Sequence, residues 1–174
     1  MNNLLRSTVC RSIGFMVTLW VTHIRPLIEY GSCIWNVGYL QDVRRLESIQ
    51  RRWSREVQGM RGLEYGARLR SMGLFPVKGR LLRLDMCKVW KCFHADVDVG
   101  LVGVLELARD VGTRGHGLKL SVPICRSEMG RRIFGSRVVR VWNSLPSSVV
   151  EAPSLESFKR GLDLFLGDQL FGHS

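Results

Sequence analysis

Apolar positions along the first third of the chain recur with helical spacing. Ile13, Val17, Trp20, Ile24, Leu27, Ile28, Ile34 and Trp35 fall three, four or seven residues apart, the stripe of an amphipathic helix. Pro26 has no amide proton to donate, so it divides this helix near Thr22–Arg25. The aromatics Trp20, Tyr30 and Trp35 are expected in the core. After a break at Asn36–Gly38, a second stripe runs through Leu40, Val43, Leu46, Ile49, Trp53 and Val57, with Gly59 as its C-terminal cap. Arg44, Arg51 and Arg55 follow one polar flank of it, and Arg45 and Arg52 the adjacent one. This is a basic amphipathic helix of about four turns.

A short helix is expected over Tyr65–Met72. Pro76 then sits where helices accept proline, at the start. The helix it opens has Leu82, Met86, Val89 and Phe93 as its apolar face, widened by Trp90, and Arg80, Arg83 and Lys91 as a basic face. It should stop near His94. Residues 96–110 are acidic and loop-like, and the glycine-rich run Gly112–Gly117 reads as a turn or exposed loop. Leu118, Leu120 and Val122 alternate with polar residues, a short strand that Pro123 keeps from being long or central. A partner for it is expected near Cys125–Arg131. Ile133, Phe134, Val138, Val141, Trp142 and Leu145 form a helix that Pro146 ends, with Trp142 as a core plug. Ser154 is a suitable N-cap for a last helix faced by Leu155, Phe158, Leu162 and Phe165. The expected fold is mainly α, a helical bundle with a small β-hairpin or strand element near residues 117–131. The chain falls into three segments, 1–58, 59–95 and 96–174.

Charge changes this picture more than composition does. Apolar residues are 45% of the 174, enough for a genuine core. The net charge is +11, and its distribution says more than its sum. Residues 44–91 hold thirteen basic and four acidic side chains, a net +9, and residues 109–140 hold a net +6, with an acidic gap of −3 between them. Such blocks favour a polyanionic partner, nucleic acid before membrane. The longest uncharged apolar run, Ser12–Ile24, has 13 residues, whereas a membrane span needs about 20. Five scattered cysteines and no recognisable secretory leader point to reduced thiols and an intracellular setting, the nucleus included.

Candidate catalytic chemistry is sparse. Nucleotide polymerisation needs clustered carboxylates that hold two metal ions, and the chain has no Asp-Asp pair. Phe93-His94-Ala95-Asp96 follows a helical pattern rather than a hairpin, which argues against Asp96 and Asp98 as catalytic carboxylates. Cys87 and Cys92 would lie about 140° apart around a helix, and His116 with Cys125 supplies two ligands where a structural zinc site takes four. The run Gly112–Gly117 lacks the Lys-Ser/Thr of a phosphate-binding loop. The basic helices remain, and the candidate nucleic-acid-binding residues are Arg44, Arg45, Arg51, Arg52, Arg55, Arg80, Arg83 and Lys91. Phosphate contact through these would be largely independent of base sequence.

An ordered set of short motifs adds a family expectation. Arg25-Pro26, Glu29-Tyr30-Gly31, Trp35, Leu46-Glu47 and Gln50-Arg51-Arg52 come first. Tyr65, Arg68-Leu69, Gly73-Leu74 and Arg80 follow, then Thr113-Arg114-Gly115-His116, Leu118-Lys119-Leu120, Trp142-Asn143-Ser144-Leu145-Pro146, Ala152-Pro153-Ser154 and Phe158-Lys159. Over roughly residues 15–166 this resembles the C-terminal region of reverse transcriptases of non-LTR (LINE-type, Jockey-like) retrotransposons. The resemblance implies a helical thumb over about Thr18–Val57 that grips a template–primer duplex, RNA or DNA, followed by a family-specific extension. It also implies that the catalytic palm, and the magnesium it would hold, lie upstream of Met1, so no cofactor is expected in this fragment and no activity from it alone. Gly117, Gly130 and Gly135 stand where larger residues are expected, as in a decayed copy. A protein–protein or scaffold module is the competing reading of the same basic and Trp-rich helices.

Overall fold

The computed structural model describes residues 9–36, 40–94, 105–108, 115–124, 127, 130 and 133–171. The chain divides into two compact units, Met1–Ser32 with Leu40–Lys78, and Cys33–Tyr39 with Gly79–Ser174. In chain order the helices are α1 (Ile13–Leu19), a π-helical turn (Trp20–Ile24), α2 (Arg25–Glu29), α3 (Ser32–Trp35), α4 (Leu40–Arg55), α5 (Tyr65–Ser71), α6 (Val77–His94), α7 (Phe134–Ser144), α8 (Ser147–Val150) and α9 (Leu155–Phe171). The fold is mainly α.

In the first unit the π-turn answers Pro26. A proline ring clashes with the carbonyl four residues back, here that of Thr22, and offers no N–H in return. The backbone responds by widening, and the Arg25 N–H reaches the Trp20 carbonyl five residues earlier. Thr18 and Thr22 also hydroxyl-bond the carbonyls of Gly14 and Thr18, a habit that bends helices. The extra residue in the turn shifts the apolar stripe by one position. Met16, Trp20 and Ile24 are buried, but Leu27 is 80% and Tyr30 86% exposed, so the expectation of Tyr30 in the core is corrected. The core of this unit is Met16, Trp20 and Ile24 with Trp53, Val57, Met60, Leu69, Met72, Leu74 and Val77. Trp20 and Trp53 meet at 6.0 Å between ring centroids.

α4 ends at Arg55, and Gly59, at φ +78°, turns the chain beyond it. α5 stops in a Schellman motif. The Gly73 N–H reaches the Arg70 carbonyl, the Leu74 N–H reaches the Leu69 carbonyl, and Gly73 takes the left-handed φ of +61° that a side chain would disfavour. Leu69 and Leu74, which flank this motif, are both buried.

The second unit is built on α6, α7, α8 and α9. Its core gathers Met86, Val89, Trp90, Phe134, Val138, Trp142, Val149, Phe158, Leu162 and Leu166. α8 seats closely on α9 because residue 161 is glycine: a Cβ there would come within 3.1 Å of the Val149 side chain. Ser154 caps α9, its Oγ accepting the Ser157 N–H at 3.2 Å.

The expected strand is a single antiparallel bridge, Leu107 with Leu120. Among the described residues its partner is residues 106–108; the Cys125–Arg131 stretch, where a partner is expected, lies largely outside the described residues. The Ala108 N–H bonds the Lys119 carbonyl and the Ser121 N–H bonds the Glu106 carbonyl, each at 2.8 Å. The other edge of the segment is paired by side chains of α7. The Asn143 amide accepts the Leu120 N–H at 2.9 Å and donates to the Leu120 carbonyl at 2.8 Å. The Trp142 indole N–H donates to the Leu118 carbonyl at 2.7 Å. Buried His116 packs edge-on to Trp142 and bonds the Trp142 carbonyl through Nε2 at 3.1 Å. Trp142-Asn143 thus satisfies backbone groups that a second strand would otherwise satisfy.

Two ion pairs link separate helices of this unit. Asp85, 1% exposed, receives Arg137 through both oxygens, at 2.9 and 3.1 Å, and Arg137 also bonds the Asn36 carbonyl. Burial raises the Asp85 carboxyl above its usual range, with Arg137 acting against that rise. Arg83 grips Asp163 with two parallel bonds.

These arrangements set two expectations. Trp142→Ala removes a fully buried indole and should cost about 3–5 kcal/mol. Asn143→Ala leaves two backbone groups of Leu120 unpaired and should cost about 1–3 kcal/mol for each that water does not reach. Both are read as a fall in denaturant midpoint, and an unchanged midpoint for Trp142→Ala contradicts the core assignment. Arg137→Met leaves the Asp85 charge buried and alone, a change of about 3–5 kcal/mol at neutral pH. A carboxyl whose folded pKa is raised stabilises the fold fully below the unfolded value and loses that contribution as pH rises through the folded one. The deficit of Arg137→Met should therefore shrink as pH falls toward the carboxylate range, measured by urea titration at stepped pH. A deficit independent of pH would mean that the Asp85 charge is not its source.

Candidate nucleic-acid interface

The arginines gather around the end of α4. Residues 51, 52 and 55 fall in its last turn and a half, where the negative end of the helix dipole favours cations. The chain then turns through Gly59 and brings Arg61 back on the loop that leads to α5, which contributes Arg68. The result is a cleft of about 760 Å³ lined by Ser48, Arg51, Arg52, Arg55, Glu56, Arg61, Leu63 and Arg68. Five guanidinium groups and one carboxylate face it.

Arg68 is the unusual member, being only 3% exposed. Its Nε donates to Ser54 Oγ at 3.0 Å and its Nη1 donates to the Leu63 carbonyl. Ser54, fully buried, in turn donates to the Arg51 carbonyl at 3.0 Å. All these acceptors are neutral. Burial, then the charge of Arg55, then that of Arg51 pull the Arg68 guanidinium below its usual pKa, with only Tyr65 acting the other way. Among the described residues no carboxylate is within ion-pair distance of Arg51, Arg52, Arg55, Arg61 or Arg68.

Tyr65 makes this crowding tolerable. The Arg51 guanidinium lies 4.2 Å and that of Arg68 5.5 Å from the centre of its ring, whose negative face attracts cations. The ring is fixed from below. Its hydroxyl donates to Glu47 Oε1 and faces Gln50 Oε1 at 2.9 Å. The Gln50 amide donates to the Phe75 carbonyl at 3.1 Å, and Glu47 Oε2 accepts the Lys78 N–H at 3.3 Å, in the first turn of α6. Burial and the adjacent Glu47 raise the Tyr65 pKa far above the ordinary phenol value. Tyr65 is therefore a neutral platform throughout the physiological range.

The eight sequence-derived candidates separate here. Arg51, Arg52 and Arg55 line the cleft. Arg44 and Arg45 are exposed one to two turns earlier on α4, with Asp42 at 3.8 Å from Arg45. Arg80, Arg83 and Lys91 belong to the other unit. There Lys91 is exposed, Arg80 is half-buried with contacts of its own, and Arg83 is engaged by Asp163, which raises its pKa. Sequence reasoning missed Arg61 and Arg68. A signal for Arg68 exists: Tyr65, Arg68, Leu69 and Met72 share one helical face, so an arginine stands in an otherwise core-facing row.

Among the described residues no three His, Cys, Asp or Glu side chains are grouped to hold a metal ion. Asp96, Asp98, Arg114 and Cys125 lie outside the described residues. Cys87 is buried and its thiol pushed up by that burial, the profile of an unreactive core cysteine. Among the described residues no helix is long and apolar enough to cross a membrane. No family model, curated protein or solved structure matches the chain.

Proposed function

We propose that this chain binds nucleic acid through its phosphates, without base specificity, and that the α4–α5 cleft is where the strand is gripped. The observation that carries this reading is the arginine cluster itself: five arginines around one cleft, one of them buried, and none paired with a carboxylate among the described residues. Cations held together at such cost are best accounted for by an external anion that completes the charge balance. The net +9 over residues 44–91 supplies the longer-range field that draws a polyanion in. The resemblance to non-LTR reverse transcriptases gives the grip a context, that of a thumb-like part holding template and primer, with polymerisation carried by a palm outside these residues.

Binding to a short duplex should weaken linearly on a log–log salt plot with a slope of about −3 to −4, if some four phosphates are neutralised. Arg51→Glu with Arg55→Glu, both exposed, should lower affinity at least tenfold at low salt and flatten the slope by about two. The helical circular dichroism spectrum should stay unchanged. Absence of binding by the unaltered chain at low salt would refute the reading.

A further inference from the structure

The cleft differs from a solvated basic face in one respect. Its arginines converge from three segments, the end of α4, the following loop and α5, on a volume of about 760 Å³. Arg68 forms the floor. Two of its five N–H donors are used, on Ser54 and Leu63. Arg68 is among the residues that line the cleft, and Ser54 and the Tyr65 ring hold its guanidinium in place. Arg51, Arg55 and Arg61 stand around it without carboxylate partners, and Glu56 is the one acidic residue in the lining.

Resting on the nucleic-acid reading above, we propose that this cleft is a receptor for a terminal phosphate monoester of a nucleic-acid strand, preferred over an internal phosphodiester. An internal phosphate presents one negative charge and two free oxygens. A terminal phosphate carries about −1.5 to −2 at neutral pH and three strong acceptor oxygens. The larger charge and the third oxygen let a terminal phosphate take paired N–H donors from Arg68 and bond flanking guanidinium groups more strongly than an internal phosphate does. The terminal group also has the steric freedom to enter a cleft from one end, which a phosphate flanked on both sides by nucleosides lacks.

The test is fluorescence anisotropy with three otherwise identical single-stranded oligonucleotides, bearing a 5′-phosphate, a 3′-phosphate or hydroxyls at both ends. Inorganic phosphate serves as a competitor. The proposal expects one of the phosphorylated strands to bind about tenfold more tightly than the hydroxyl strand, as one or two charge-assisted hydrogen bonds supply. Millimolar inorganic phosphate should erase that advantage while the hydroxyl strand stays bound. Arg68→Lys keeps the charge but loses the planar fork, and should bring the phosphorylated and hydroxyl strands to equal affinity. Should Arg68→Lys fail to fold, Arg61→Gln on the exposed rim is the second variant and should cut the preference at least threefold. Equal affinity for all three strands overturns the proposal and leaves the nucleic-acid reading standing. Binding of none of them overturns both.

Discussion

A guanidinium group cannot shed its proton to escape a poor environment. Burying Arg68 therefore commits the first unit to satisfying a permanent charge with neutral oxygens. The arrangement around it follows from that commitment. Ser54 is fully buried because its hydroxyl must relay between the Arg51 carbonyl and Arg68 Nε. The loop before α5 is drawn in because the Leu63 carbonyl accepts from Arg68. Tyr65 is clamped by Glu47 and Gln50, and its ring lies within cation–π distance of both Arg51 and Arg68. Hydrophobic burial of Trp53, Leu69 and Met72 offsets the cost.

The second unit handles charge differently. Asp85 with Arg137, and Asp163 with Arg83, are closed pairs in which each planar fork meets a carboxylate. They tie distant parts of the sequence together and leave their arginines little capacity for an outside ligand. The same residue type thus serves two purposes in one chain, and the presence or absence of a carboxylate separates them. The Trp142-Asn143 pair belongs with the closed arrangements. It replaces half of a β-sheet with two side chains, which lets a strand-like segment persist without a second strand on that edge.

Much of this was legible in the residues. Three- and four-residue spacing located α4, α6 and α9 and the end of α6 at His94, because helices with one buried face print that face on the sequence. Trp142 as core and Ser154 as cap were equally readable. The π-turn was not: proline announces a disturbance but not whether the backbone kinks, breaks or widens, and widening is what turned Leu27 and Tyr30 outward. The strand partner at residues 106–108 was missed because a single bridge carries no alternation to read. For the site, α4 revealed Arg51, Arg52 and Arg55, but Arg61 and Arg68 join them only through the turn at Gly59. Charge density counts arginines along a chain, whereas the carboxylate that engages Arg83 is eighty residues away.

If nucleic acid binds, as proposed, at the arginines of the α4–α5 cleft rather than at those engaged by carboxylates, NMR of arginine side-chain Nε–Hε signals during titration with a short oligonucleotide should show saturable shifts at Arg51, Arg55, Arg61 and Arg68, with Arg83 and Arg137 unmoved. Shifts that are uniform across all arginines, or that leave Arg68 untouched while others saturate, would contradict it.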